Sequence, residues 1–127
     1  MRKAVNFLSG WVLVFLLSCS GSDTYRGLWK ATNATGEKFD ITFEAKSLSV
    51  KDGAGKVSKY EYTQNSVSIE NAVETYGIKL SDGRDYLINF PLPDDETKGV
   101  IKDAGGNLIF TIGKGAYVKY EDIYKLN

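Results

Sequence analysis

The segment Phe39-Asp-Ile-Thr-Phe43 alternates apolar and polar side chains, and the same two-residue period returns along most of this chain. Alternation of that kind puts every second side chain on one face, the pattern of a half-buried strand. Ser47-Leu-Ser-Val-Lys51 repeats it after a reversal at Ala45-Lys46, and Asp52-Gly-Ala-Gly55 supplies a turn before Lys59-Tyr-Glu-Tyr-Thr63. Only Gln64-Asn65 separates that run from Ser66-Val-Ser-Ile-Glu70, a spacing that predicts a hairpin. Tyr76-Gly-Ile-Lys-Leu80 leads into Asp82-Gly83, the strongest turn signal present, and Asp85-Tyr-Leu-Ile-Asn-Phe90 returns. Pro91 and Pro93 then interrupt the pairing, because neither can donate a ladder hydrogen bond. Lys98–Lys102, a turn over Asp103–Asn107 and Leu108–Ile112 follow, and Gly113-Lys114-Gly115 turns the chain into Ala116–Tyr120. The tail EDIYKL reads as a last strand or one helical turn, and no long 3.6-residue period, internal repeat or low-complexity tract occurs.

Short strands with turn signals every 8 to 12 residues indicate an all-β sandwich or barrel. The connections are too short for crossover helices, so the order is an antiparallel up-and-down meander. Closure would remove exposed strand edges, an aggregation hazard in a strand-rich chain. The expectation is one domain over residues 25–127, a closed or half-open β-barrel of about 8–10 strands.

The chain begins differently. Arg2 and Lys3 precede an uncharged apolar stretch, Phe7–Leu17, and small residues follow from Ser18 to Ser22. A positive start, an apolar middle and a small-residue exit form the secretory pattern, which makes residues 1–18 a signal peptide. A membrane-spanning helix is the rival reading. Eleven residues at about 1.5 Å each reach roughly 17 Å, short of a hydrocarbon core of about 30 Å.

Cys19, the one cysteine, stands where the apolar stretch stops. A disulfide within the chain has no partner, and a catalytic thiol would lack the histidine that lowers its pKa, since the chain has none. Leu16-Leu17-Ser18-Cys19 resembles the lipobox of bacterial lipoproteins, in which an aliphatic residue and two mostly small residues precede the modified cysteine. That resemblance covers residues 1 to about 22. It implies diacylglycerol on the sulfur of Cys19, cleavage before it, and acylation of the new amino terminus. Two or more acyl chains make desorption slow, where one anchors only marginally.

Residues 19–24 would then be a lipidated tether. Ser20–Thr24 spans at most about 17 Å, which holds the domain close to the bilayer. By the lipoprotein sorting pattern, Ser20 in the place after the cysteine points to the outer membrane, facing the periplasm. An acidic cluster there can mark surface display, and this chain offers only Asp23. Without Arg2 and Lys3, 14 basic side chains stand against 16 acidic ones. So balanced a charge argues against a nucleic-acid partner and against electrostatic recruitment to anionic lipid.

Gly27-Leu28-Trp29 opens the first strand and resembles the Gly-x-Trp of lipocalins and of lipocalin-like domains in small bacterial lipoproteins. The resemblance implies that Trp29 closes the base of a barrel beneath a cation from near the last strand. That cation is an arginine in lipocalins. Here the arginines beyond the leader are Arg26 and Arg84, and the end of the chain offers Lys119 and Lys125 instead. Trp29 also reads simply as a core residue.

Three further features have a plain reading beside a functional one. Tyr25, Tyr60, Tyr62, Tyr76, Tyr86, Tyr117, Tyr120 and Tyr124 could form a stacking surface, but tyrosine also favours strands, with its ring on the sheet and its hydroxyl wet. Asp94-Asp95-Glu96 could bind calcium, yet no glycine-punctuated loop surrounds them, and a solvated loop is the plainer reading. Asn33-Ala34-Thr35 matches a glycosylation sequon, which a bacterial lipoprotein would not use.

The absence of histidine excludes Ser–His–Asp triads, Cys–His dyads and histidine-ligated metals. Carboxylates, lysine or tyrosine could still catalyse, but nothing arranges them, so no catalytic residue, metal or cofactor is expected. The expectation is a non-catalytic, lipocalin-like module binding a small apolar or amphipathic ligand. Its alternative is an accessory or inhibitory subunit of an envelope complex. Interior volume separates the two, since a carrier needs roughly 300 Å³ and a scaffold a solid core.

Overall fold

The computed structural model describes residues 24–93 and 95–123. The expected signal peptide, Cys19, the expected tether up to Asp23, Asp94, Tyr124 and Lys125 therefore lie outside the described residues. Eight strands run β1 (Gly27–Asn33), β2 (Lys38–Phe43), β3 (Ser47–Lys51), β4 (Val57–Glu70), β5 (Val73–Leu80), β6 (Asp85–Phe90), β7 (Lys98–Asp103) and β8 (Leu108–Gly113). Each pairs antiparallel with the next, and β1 pairs with β8, so the sheet closes into an up-and-down barrel. Closure satisfies both outer strands with each other.

Period two decides which side chains fill the barrel. Trp29 pairs with Ile41 and Ala31 with Phe39, while Ala31 also meets Ile112 across the seam. Leu48 pairs with Tyr60, Tyr76 with Ile88, and Ile88 with Ile101. Trp29, Ala31, Ile41, Ile88 and Ile112 are almost completely buried. Their alternating neighbours face outward, as the partly exposed Lys30–Asp40 ion pair at 3.1 Å illustrates.

Two expectations need correction. The hairpin at Gln64-Asn65 does not exist: β4 is one strand of 14 residues, and its register with β5 slips between Gln64 and Ser66. An extra residue inserted in a strand flips the alternation to the other face. The apolar positions thus switch from Tyr60 and Tyr62 to Val67 and Ile69, a phase change that resembles a turn on paper. Nor is Ala116–Tyr120 a strand. With β1 already paired to β8, no edge remains for it. Instead the segment crosses the outside of the seam, where the Tyr117 hydroxyl donates to Asp40 Oδ1 (3.3 Å) and Lys38 Nζ stands 5.0 Å over the Tyr117 ring.

The tail ends in a single helical turn, α1 (Tyr120–Ile123). Asp122 Oδ2 accepts from the backbone N–H of Lys119 (3.2 Å), a reach-back that satisfies a free donor at the helix start. Val100 and Thr111 are cross-strand partners on the outer face of β7 and β8, yet both are buried, as is Ile123.

Candidate functional site

The two ends of the barrel are unlike, and the first is closed by rings. Tyr25, just ahead of β1, is fully buried and packs against Phe43 (5.3 Å), Tyr62 (6.4 Å) and Tyr76 (5.3 Å). Phe90 joins Tyr76 at 6.2 Å and Trp29 at 5.7 Å. Polar atoms in this plug are satisfied, as burial requires. Trp29 Nε1 donates to the carbonyl of Tyr25 (2.7 Å), the Tyr25 hydroxyl to Gln64 Oε1 (2.7 Å), and the Tyr62 hydroxyl to the carbonyl of Glu44. Burial, aided by the Glu74 carboxylate that accepts from it at 2.6 Å, pushes the Tyr76 phenol up to about 12. Burial raises Tyr25 and Tyr62 as well.

The expected cation is there, but it is a different lysine. Lys114 Nζ, one residue past β8, stands 5.0 Å over the Trp29 ring. Lys119 begins the turn on the outer face, where its N–H meets Asp122. The sequence supported a cation near the last strand, but only closure showed which residue returns over the tryptophan.

The other end is open. Between the inner faces of β2 to β8 lies a cavity of about 320 Å³, lined by Phe39, Ile41, Leu48, Val50, Ile78, Leu80, Ile101 and Phe110. Phe39 and Phe110 meet edge to face at 5.2 Å on one wall. Asp52, Lys56, Ser58, Tyr60, Arg84 and Tyr86 supply the polar part. A larger hollow, about 640 Å³, lies on the outer surface beside Lys59, Glu61 and Lys79. Lys59, Glu61 and Lys79 alternate with the inward Tyr60, Tyr62, Ile78 and Leu80, so that hollow opens on the outer surface, with Tyr62 and Leu80 also bordering it.

Arg84 dominates the rim. Its Nη2 lies 2.8 Å from Asp82 Oδ2, its Nη1 donates to the Tyr86 hydroxyl (3.1 Å), and its guanidinium stands 5.0 Å over the Tyr60 ring. The Arg84 side chain holds the Asp82 carboxyl below its usual range, and Asp82 in turn raises Arg84. Tyr60 and Tyr86 thus share the Arg84 guanidinium at the rim and pack against the core, while Tyr25, Tyr62 and Tyr76 lie within it. Tyr117 and Tyr120 lie exposed outside.

Four loops frame this mouth, and all share one design that sequence reasoning did not isolate. Residues 33–37, 52–56, 80–84 and 103–107 each close with an N–H···O bond from the first residue to the fifth and another from the fourth back to the first. In each, the fourth residue is a glycine at positive φ: Gly36, Gly55, Gly83 and Gly106. A side chain there would carry the left-handed penalty. In three of the loops Asn33, Asp52 or Asp103 accepts two backbone N–H groups through Oδ1. The fourth begins with Leu80, and its Asp82 sits at the third place, where it holds Arg84. The repeated Asx-x-x-Gly spacing was the available signal. It also accounts for the sequon, because Asn33 organises a turn.

The remaining candidates separate. Asp95 accepts from the N–H of Thr97 (2.8 Å) and from its hydroxyl, so it caps a loop. Glu96 pairs with Glu74 across the plugged end, and that hydrogen bond raises its pKa. Among the described residues no group of acidic or cysteine side chains is placed to hold a metal ion.

A closed eight-stranded up-and-down barrel, plugged at one end and hollow at the other, is consistent with a lipocalin-like fold. No family model, curated protein or solved structure matches the chain.

Proposed function

We propose that this protein is a lipid-anchored lipoprotein of a bacterial envelope whose barrel takes up one small apolar or amphipathic molecule without transforming it. The single observation that carries the binding reading is the cavity of about 320 Å³ with apolar walls and a fixed cation at its rim. A hollow of that size holds a compact ligand, and a few placed polar groups orient it. The four glycine-supported loops leave little to order on binding, which lowers its entropic cost. The Arg84 guanidinium, spread over Tyr60 and beside Tyr86, suits a ligand with an acidic or aromatic head and an apolar body.

The anchor part rests on Leu16-Leu17-Ser18-Cys19, with thioether-linked lipid on Cys19 and, from Ser20, placement at the outer membrane facing the periplasm. Incorporation of radiolabelled palmitate, lost in Cys19→Ala, tests it. The ligand part is tested by titrating the protein with 1-anilinonaphthalene-8-sulfonate, which is apolar, aromatic and anionic. The expected result is saturable one-to-one fluorescence enhancement, weakened by Val50→Phe, whose ring narrows the cavity. No saturable uptake by the native protein returns the reading to an accessory subunit of an envelope complex.

A further inference from the structure

Beyond the bulge, β4 runs further than the barrel needs. Its neighbour β3 starts at Ser47, opposite Glu61, and the Tyr62 N–H still reaches the Lys46 carbonyl, so residues 63–70 are paired only with β5. On this hairpin Val67 faces the same side as its partner Tyr76, and Ile69 the same side as Glu74. That is the plug side, yet Val67 is 51% and Ile69 63% exposed. Ser66 and Ser68 occupy the opposite face. Scattered apolar residues on a surface need no explanation. Two on one strand face, continuing the core's register into solvent, call for something to cover them.

The start of the described chain lies at the same place. The hydroxyls of Thr24 and Tyr76 are hydrogen-bonded at 3.0 Å, and that of Tyr25 reaches Gln64 at the bulge. The residues between Cys19 and Thr24 are Ser, Gly, Ser and Asp, which offer no apolar side chain to cover Val67 and Ile69. They also keep Cys19 within about 17 Å of Thr24.

We infer that the tip of the β4–β5 hairpin rests in the headgroup layer of the bilayer that carries the anchor, with Val67 and Ile69 against lipid. This rests on Cys19 being acylated. The turn itself, Asn71-Ala72, is uncharged, while Glu70 and Glu74 flank it, so the surface suits zwitterionic rather than anionic headgroups. The tether and hairpin then set the orientation together: the plugged end faces the membrane and the cavity mouth faces away from it.

The test uses the full chain, processed in a bacterial host. With Cys19 acylated, a cysteine introduced by Ile69→Cys or by Ala54→Cys, at the far end, is the sole free thiol. Each variant is labelled with an environment-sensitive nitrobenzoxadiazole dye and reconstituted in phosphatidylcholine–phosphatidylethanolamine vesicles containing spin-labelled lipid. Quenching at position 69 exceeding that at position 54 by about threefold or more is the expected result. Equal quenching at the two positions overturns the inference and leaves the anchor intact. So does a blue-shifted dye at position 69 that spin-labelled lipid does not quench, because a protein surface then covers it. Two dyes per chain with no membrane retention mean that Cys19 is unmodified, and the anchor reading falls with its consequence.

Discussion

The plugged end and the open end of this barrel are built from the same residue types by opposite rules. At the plugged end dissimilar connections surround an interlocked cluster of Tyr25, Trp29, Phe43, Tyr62, Tyr76 and Phe90, and the stability is in the side chains. At the open end four loops of one backbone design hold an apolar hollow, and the order is in the turns. The difference shows how so short a chain can keep an empty interior. A filled half supplies the burial that folding needs, and rigid loops keep the other half from collapsing.

The sharpest way to break that comparison is Trp29→Ala. It removes the largest fully buried side chain, and a loss of about 3–5 kcal/mol in urea unfolding is expected. The same measurement on Val50→Phe, in the hollow half, should give a change within about 1.5 kcal/mol, because the added ring enters existing space. Equal losses would mean that both halves are packed alike.

Gly99 sharpens the point within the plug. A Cβ there would lie 2.7 Å from the Asn89 carbonyl oxygen and 2.9 Å from the Phe90 ring. Gly99→Ala should therefore cost about 1–3 kcal/mol, with lowered midpoint and unchanged denaturant slope.

The ends should also differ in pH response. A free phenol titrates near 10, and burial holds Tyr76 near 12, so the folded state keeps its proton longer than the unfolded chain. That contribution is complete below about pH 10 and lost as pH rises toward 12, on the order of 2 kcal/mol for Tyr76. Thermal melts across this window should fall steeply, and Tyr76→Phe should flatten the fall. Mutations at the open end should leave its slope alone.

The smallest expected effect on stability belongs to Arg84. Its pair with Asp82 is half exposed, so Arg84→Ala should shift unfolding by less than about 1 kcal/mol. Its effect on binding the anionic fluorophore should be larger, about tenfold, measured by the same titration.

Much of the fold was legible in residue order. Ser47–Lys51 and Asp85–Phe90 are strands with the bounds expected from alternation, and the turns at Asp52–Gly55, Asp82-Gly83 and Asp103–Asn107 stand where glycine and Asx residues require them. Local steric preference decides these features, so local sequence reports them. The site was less legible. Trp29 could be placed at a barrel base, but Lys114 over its ring and Arg84 at the cavity rim depend on which strands become neighbours.

By itself, then, the sequence determined strand positions, antiparallel order and the faces of most strands, because period-two patterning and turn chemistry act over a few residues. Tertiary structure alone decided that β1 meets β8, that the phase change at Asn65 is a bulge, and that one end fills while the other stays hollow. These outcomes depend on side-chain volumes summed across strands distant in the chain, and no local pattern carries that sum.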